Sequence, residues 1–116
     1  MTMSEAGVPQ ITPEEAVAQL ADGALLLDVR EDDEWRAGRA REAQHLPLGR
    51  IESELASISK DKPIVAICRV GGRSQRAAIA LRSAGFDVVN LTGGMQAWAA
   101  AGLEVVGEDG SPGQVI

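Results

Sequence analysis

A chain of 116 residues has room for one compact domain, and 45% hydrophobic with 24% charged residues supplies enough apolar material for a core. Eleven Lys and Arg against seventeen Asp and Glu leave a net charge of −6, with aromatics at 3%, which disfavours phosphate backbones, base stacking and anionic lipid as partners. One cysteine, Cys68, and one histidine, His45, exclude an intrachain disulfide and a multi-cysteine zinc centre, so no metal and no cofactor is expected. Residues 1–10 lack the positive n-region of a targeting segment, and no apolar run approaches the ~20 residues that span a bilayer. A soluble, cytoplasmic protein is expected, with no nucleic acid or membrane among its partners.

In chain order, Thr12 is a predicted N-cap, with Pro13 at the first helical position, Glu15 completing a capping box, and Ala16, Val17 and Leu20 turned inward. The run Ala24–Val29 follows the turn pair Asp22-Gly23 and reads as a buried strand. A weaker helical pattern covers Ile51–Ile58. Pro63–Ile67 is a second buried strand, entered from the charged turn Lys60-Asp61-Lys62. Arg73–Ala84 has helical spacing and stops at Gly85, as a C′ glycine stops a helix. Phe86–Leu91 is a third strand, and the Ala-rich stretch Met95–Ala101 a last helix ending at Gly102. Strands alternating with helices across short turns predict an α/β fold, a mostly parallel central sheet with helices on both faces. The domain is expected over residues 8–106, with a flexible tail over 107–116.

The chemistry concentrates at Cys68-Arg69-Val70-Gly71-Gly72-Arg73-Ser74, between a buried strand and an Ala-rich helix. In an open α/β sheet, the carboxyl end of a strand is where ligands bind. Two glycines let the backbone curl and turn its N–H groups toward one centre, and the next helix adds the positive end of its dipole. A thiol placed there is pushed toward thiolate, and Arg69 and Arg73 are expected to strengthen the effect. A lone cysteine after a strand is in general more often a small buried hydrophobe, but flanking glycines and arginines argue for a nucleophile in an anion cradle.

This loop resembles the active-site loop of the rhodanese-like sulfurtransferases. Leu27-Asp28-Val29-Arg30 with Glu34-Trp35 and Gly38 is similar to that family's N-terminal strand motif and the acidic helix after it. Leu91-Thr92-Gly93-Gly94-Met95-Gln96-Ala97-Trp98 is similar to its C-terminal signature. The likeness runs from about Ile11 to Val106 and implies a single rhodanese-like domain. The chain departs from the family at Gly38–Ala43, where a Gly-His pair and a Pro-Gly-Ala segment are common, and at His45, where Asn is common.

The resemblance implies a thiosulfate sulfurtransferase. Cys68 would take a sulfane sulfur from a small donor anion as a persulfide and pass it to a thiol or cyanide, in two half-reactions. A persulfide carrier or partner-docking module with little turnover of its own is the alternative. Four residues separate Cys68 from Arg73. Related phosphatases and arsenate reductases use a loop one residue longer, so the spacing disfavours phosphate-ester hydrolysis.

Val70, Gly71 and Gly72 complete the binding loop. Arg69 either bonds the sulfonate end of thiosulfate or lies on the rim. Arg73 is expected to pair with a carboxylate, Asp28 or Glu34, and Arg30 to do similar work or pair with Glu34. Ser74 is expected to cap the helix. His45 is read as a surface or half-buried imidazole and not a base. Trp98 is read as core or pocket wall, and Trp35 as packing the helix after the first motif. Gly93-Gly94 is read as a turn opening the last helix, with a small anion nest as the other possibility. Monomer and homodimer both stay open.

Overall fold

The computed structural model describes residues 2–3 and 7–116. Its strands are β1 (Thr2–Met3), β2 (Pro9–Ile11), β3 (Leu25–Asp28), β4 (Gln44–His45), β5 (Ile64–Ile67) and β6 (Val88–Leu91). Its α-helices are α1 (Pro13–Ala21), α2 (Asp32–Ala37), α3 (Gly72–Ser83) and α4 (Gly94–Ala100).

Local chemistry fixes several boundaries. At α1 the capping box is formed: Glu15 N–H donates to Thr12 Oγ1 at 3.1 Å, and Thr12 N–H to Glu15 Oε1 at 3.0 Å. The expected strands and the helices α1, α3 and α4 all occur within two residues of their predicted limits. The pattern over 51–58 instead forms a 3-10 turn, Glu52–Ser57, after a shorter one at Leu48–Arg50. There, Ser53 and Ser57 hydroxyls donate to carbonyls three residues back, offering local bonds that compete with an α-helical ladder.

The sheet order is β1-β2-β6-β5-β3-β4. Strands β2 to β6 run parallel, and β1 pairs antiparallel with β2 at one edge. Register aligns Asp28 with Ile67 and Ala66 with Asn90. Side chains alternate across the pleat. Leu27, Ile64, Ala66 and Val88 enter one apolar layer with Ala77, Ala78 and Leu81 of α3. Leu26, Val65, Ile67 and Leu91 enter the other, with Ala16 of α1 and Met95 and Trp98 of α4. The central sheet is thus covered on both faces, as continuous apolar strands require. Cys68 follows Ile67 in this alternation and falls on the α3 side.

Residues 107–116, expected to form a tail, turn back on the domain in this structure. Gln114 N–H donates to Ala37 O at 2.8 Å, Gly113 N–H to Val105 O at 2.9 Å, and Val115 packs against the α4-side layer. Among the described residues, no helix is long and apolar enough to cross a membrane.

Candidate active site

The Cys68 loop leaves the carboxyl end of β5 and becomes helix α3 within four residues. Gly71 makes the turn: at φ +111° it occupies the left-handed region that favours glycine, and it serves as the N-cap of α3. Its N–H points at the Cys68 sulfur, 3.1 Å from Sγ, and the Ser74 hydroxyl lies 3.3 Å from the same atom.

The loop's carbonyls face the other way. Met95 N–H donates to Cys68 O at 2.7 Å, and Gln96 N–H to Arg69 O at 3.0 Å. These are amides of the first turn of α4, which lack partners inside their own helix. Gly94, at φ +56°, lets α4 come this close, since a Cβ there would run into the backbone of Cys68 and Arg69. The Gly93-Gly94 turn therefore opens α4 against the loop, and its neighbouring amides hold peptide carbonyls in place of an anion. With carbonyls drawn to α4 and N–H groups turned inward, the loop forms a small concave nest around sulfur.

Two opposed effects set the thiol's acidity. The residue is only 1% exposed, and burial pushes its pKa up. The Ser74 hydroxyl and the N–H groups of Ser74, Gly71 and Val70 outweigh that and hold Cys68 below the ordinary thiol range. The start of α3 adds its dipole in the same direction.

Arg73 faces Cys68 with the favourable charge interaction expected of it, and its main partner is a carboxylate. Arg73 reaches over to α2 and grips Glu34 with two bonds, NH1 to Oε1 at 2.6 Å and NH2 to Oε2 at 2.8 Å. Its charge is thereby largely matched, while Glu34 is pulled below the usual carboxylate range, first by the Arg73 bond. Of the two carboxylates considered for Arg73, Glu34 is the partner. Arg69 Nε donates to Ile116 O at 3.0 Å, beside the loop. Val70, 51% exposed, forms the outer rim of the loop. Gly72 stands open in the first turn of α3.

Asp28 and Arg30 pair with each other, NH2 to Oδ2 at 2.7 Å, both side chains fully buried. Arg30 also donates to Gly38 O at 2.7 Å and Glu34 O at 3.3 Å, which fixes α2 beside the end of β3. A buried guanidinium needs this full set of acceptors. The pair supports Glu34, and through it Arg73, from below. Ser74 is not the helix cap: α3 begins two residues earlier because Gly71 supplies the cap geometry. The Ser74 side chain is instead buried against sulfur.

His45 lies on β4, with Nε2 2.7 Å from Arg30 O and its ring stacked on Trp35 at 4.7 Å. The Arg39 guanidinium sits over the same indole, 4.7 Å from the ring centroid. Trp98 is core, its indole N–H donating to Glu104 O at 3.0 Å. The sequence reading missed Asn90 and Gln10. Asn90, 3% exposed, interrupts the apolar strand Val88–Leu91, and a polar residue in a buried strand is itself a signal that a partner waits in space.

Comparison with known proteins gives a consistent picture. A family model described as "Rhodanese-like domain" matches residues 12–101. A sulfurtransferase of Allochromatium vinosum is 38% identical over 106 residues, covering 89% of this chain and 99% of that protein. The thiosulfate sulfurtransferase GlpE of Pseudomonas savastanoi pv. phaseolicola is 37% identical over 92 residues, covering 78% of this chain and 87% of that one. Among solved structures, a rhodanese-related protein from Thermoplasma volcanium superposes with a TM-score of 0.79 at 28% identity, covering 84% of this chain and 97% of that one.

Proposed function

Because the chain belongs to the family of rhodanese-like domains, we propose that it is a sulfurtransferase that carries a sulfane sulfur on Cys68, from thiosulfate or a related donor to a thiol or cyanide. The observation that carries this reading is the convergence of Gly71 N–H and Ser74 O–H on one sulfur at the end of a buried strand. Its similarity to thiosulfate sulfurtransferases lends the donor class.

The chemistry balances without a cofactor. The Cys68 thiolate attacks the outer sulfur of thiosulfate, a new S–S bond forms, and the old one breaks with its electron pair leaving on sulfite. The product is a cysteine persulfide anion. Cyanide carbon or an acceptor thiolate then attacks the outer sulfur, and the bond pair returns to Cys68 as thiolate. A nucleophile that enters as the thiolate needs no general base, and the donors around Sγ favour that form. The nest that stabilises a thiolate also suits the persulfide charge, as preorganised donors stabilise developing anions elsewhere. In this reading Arg69, on the rim, exchanges its bond to Ile116 O for the sulfonate end of the donor, and Asp28 with Arg30 hold the frame.

Intact mass after incubation with thiosulfate tests the reading. One added sulfur atom that disappears on adding cyanide, with thiocyanate released over many turnovers, is expected. Stable addition without turnover would favour a persulfide carrier. No addition, with hydrolysis of an aryl phosphate, would replace sulfur transfer with phosphate chemistry.

A further inference from the structure

The segment after Val106 is fixed to the domain at its base and lightly held at its tip. Val106 pairs with Arg39 on one side and Pro112 on the other, and Gly113 N–H donates to Val105 O at 2.9 Å. Gln114 N–H then donates to Ala37 O at 2.8 Å, at the end of α2. Two glycines make this close fit possible by what they lack. A Cβ on Gly38 would run into the Gln114 backbone, and one on Gly113 into the backbone of Val106. Gly38 is extended, at φ 177°, a conformation open to any residue, so the approach of Gln114 is what needs a glycine.

Beyond Gln114 the hold weakens. Val115 is half-buried against the α4-side layer, and the Ile116 side chain is 47% exposed. Ile116 O reaches the Cys68 loop and takes the Arg69 Nε–H at 3.0 Å. A guanidinium only donates, so this main-chain oxygen occupies part of the fork that an anion would use.

We propose that residues 113–116 form a self-inhibiting strap, whose Ile116 oxygen competes with the oxyanion of an incoming sulfur donor for Arg69. The proposal rests on the reading of Arg69 as the contact for that donor. What makes the segment a strap is the asymmetry of its hold. Backbone bonds and close packing fix the base, while the tip rests on one exposed hydrogen bond that a ligand can replace. A sulfonate offers the guanidinium two oxygens at once, where Ile116 meets it at Nε alone, so the donor wins the exchange. The same competition selects among donors. One without an oxyanion gains nothing from Arg69 and leaves the strap in place.

Alkylation of Cys68 by two reagents of nearly equal size tests this without sulfur transfer: iodoacetate carries a negative charge and iodoacetamide carries none. Both attack the same thiolate, so their rate ratio cancels its ionisation and keeps the pull of Arg69 on an anion. In a chain shortened to end at Pro112, the ratio is expected to rise about threefold over the full chain, the size of one exposed ionic contact. The KM for thiosulfate should fall by about the same factor with kcat little changed. Arg69→Ala in the shortened chain should cancel the rise. A thermal melt establishes that the shortened chain is folded. Should it lose its fold, Gly113→Ala, which drives the strap off Val106 without removing a residue, is read in the same way. An unchanged ratio in the folded variants would overturn the proposal. So would an equal rise with Arg69→Ala present, or a risen ratio beside an unmoved KM. A raised ratio in chains that never turn over thiosulfate would keep the strap and remove sulfur transfer instead.

Discussion

Arg73 and Glu34, 39 residues apart in sequence, meet in a two-point ion pair that joins the start of α3 to α2. The pair is half sheltered, Glu34 12% exposed and Arg73 32%, and it anchors the outer end of the loop that carries Cys68. The Glu34 carboxylate takes the Glu31 N–H as well, so one group closes α2 and restrains the loop.

Glu34→Gln should lower stability by about 1 kcal/mol at neutral pH, the partial exposure keeping it well under the value of a buried pair. The pH dependence follows from the direction of the shift. Glu34 is more acidic folded than unfolded, so its contribution is present above the unfolded carboxyl range near 4.3 and fades as pH falls through the folded value. Thermal melts of wild type and variant should differ at pH 7 and converge in acid. A gap that persists to low pH would mean that the charge is not what matters.

Cys68→Ser should abolish sulfur uptake from thiosulfate while the melting temperature stays within a few degrees, because the hydroxyl fills nearly the same buried volume. Intact mass and a thermal melt check the two halves of the statement. Any retained turnover would remove the nucleophile assignment.

Ser74→Ala deletes the hydroxyl among the groups that favour the thiolate. The wild-type alkylation midpoint is expected below the ordinary thiol range, and the variant's above the wild-type one. The loss also leaves Asn90 Oδ1 short of its donor, at a cost of about 1–3 kcal/mol. A pH series with iodoacetamide and a denaturant titration read both.

Gly94→Ala places a methyl against the Cys68 and Arg69 backbone at a left-handed position. Destabilisation of about 3 kcal/mol is expected, together with loss of activity, because α4 must withdraw and release the loop carbonyls. Gly23→Ala is the comparison: it too sits at a positive φ, +100°, but with open space around it, so it should leave the Cys68 loop and turnover intact.

Arg69→Ala should raise the KM for thiosulfate with kcat little changed, the pattern of lost uniform binding. Initial rates across donor concentration decide it. A fall in kcat at constant KM would move Arg69 from holding the donor to stabilising the transition state.

Much of this was legible in the linear chain because the signals are local. Thr12 and Glu15 close a capping box by spacing alone, and Gly85 stops α3 for want of a Cβ penalty. The runs of Ile, Val and Leu around Val65 and Val89 admit little but buried strands. Other features were hidden for a common reason. The strands Pro9–Ile11 and Gln44–His45 are too short and polar to show a period, and they exist because Leu91 and Leu27 stand beside them in register. The helix expected over 51–58 gave way to tighter turns because its serines bond locally.

By itself, the sequence determined the alternating α/β layers, the single thiol and the glycine-lined turn that surrounds it, since periodicity, caps and backbone freedom are properties of neighbouring residues. Only the tertiary structure decided which carboxylate took Arg73, that the α4 amides draw the loop carbonyls away from sulfur, and that Asn90 meets the Ser74 hydroxyl and the Gly71 carbonyl. Each of these is a contact between segments brought together by strand order, and a hydrogen bond's partner depends on distance and direction in space, which the order of residues along the chain leaves open.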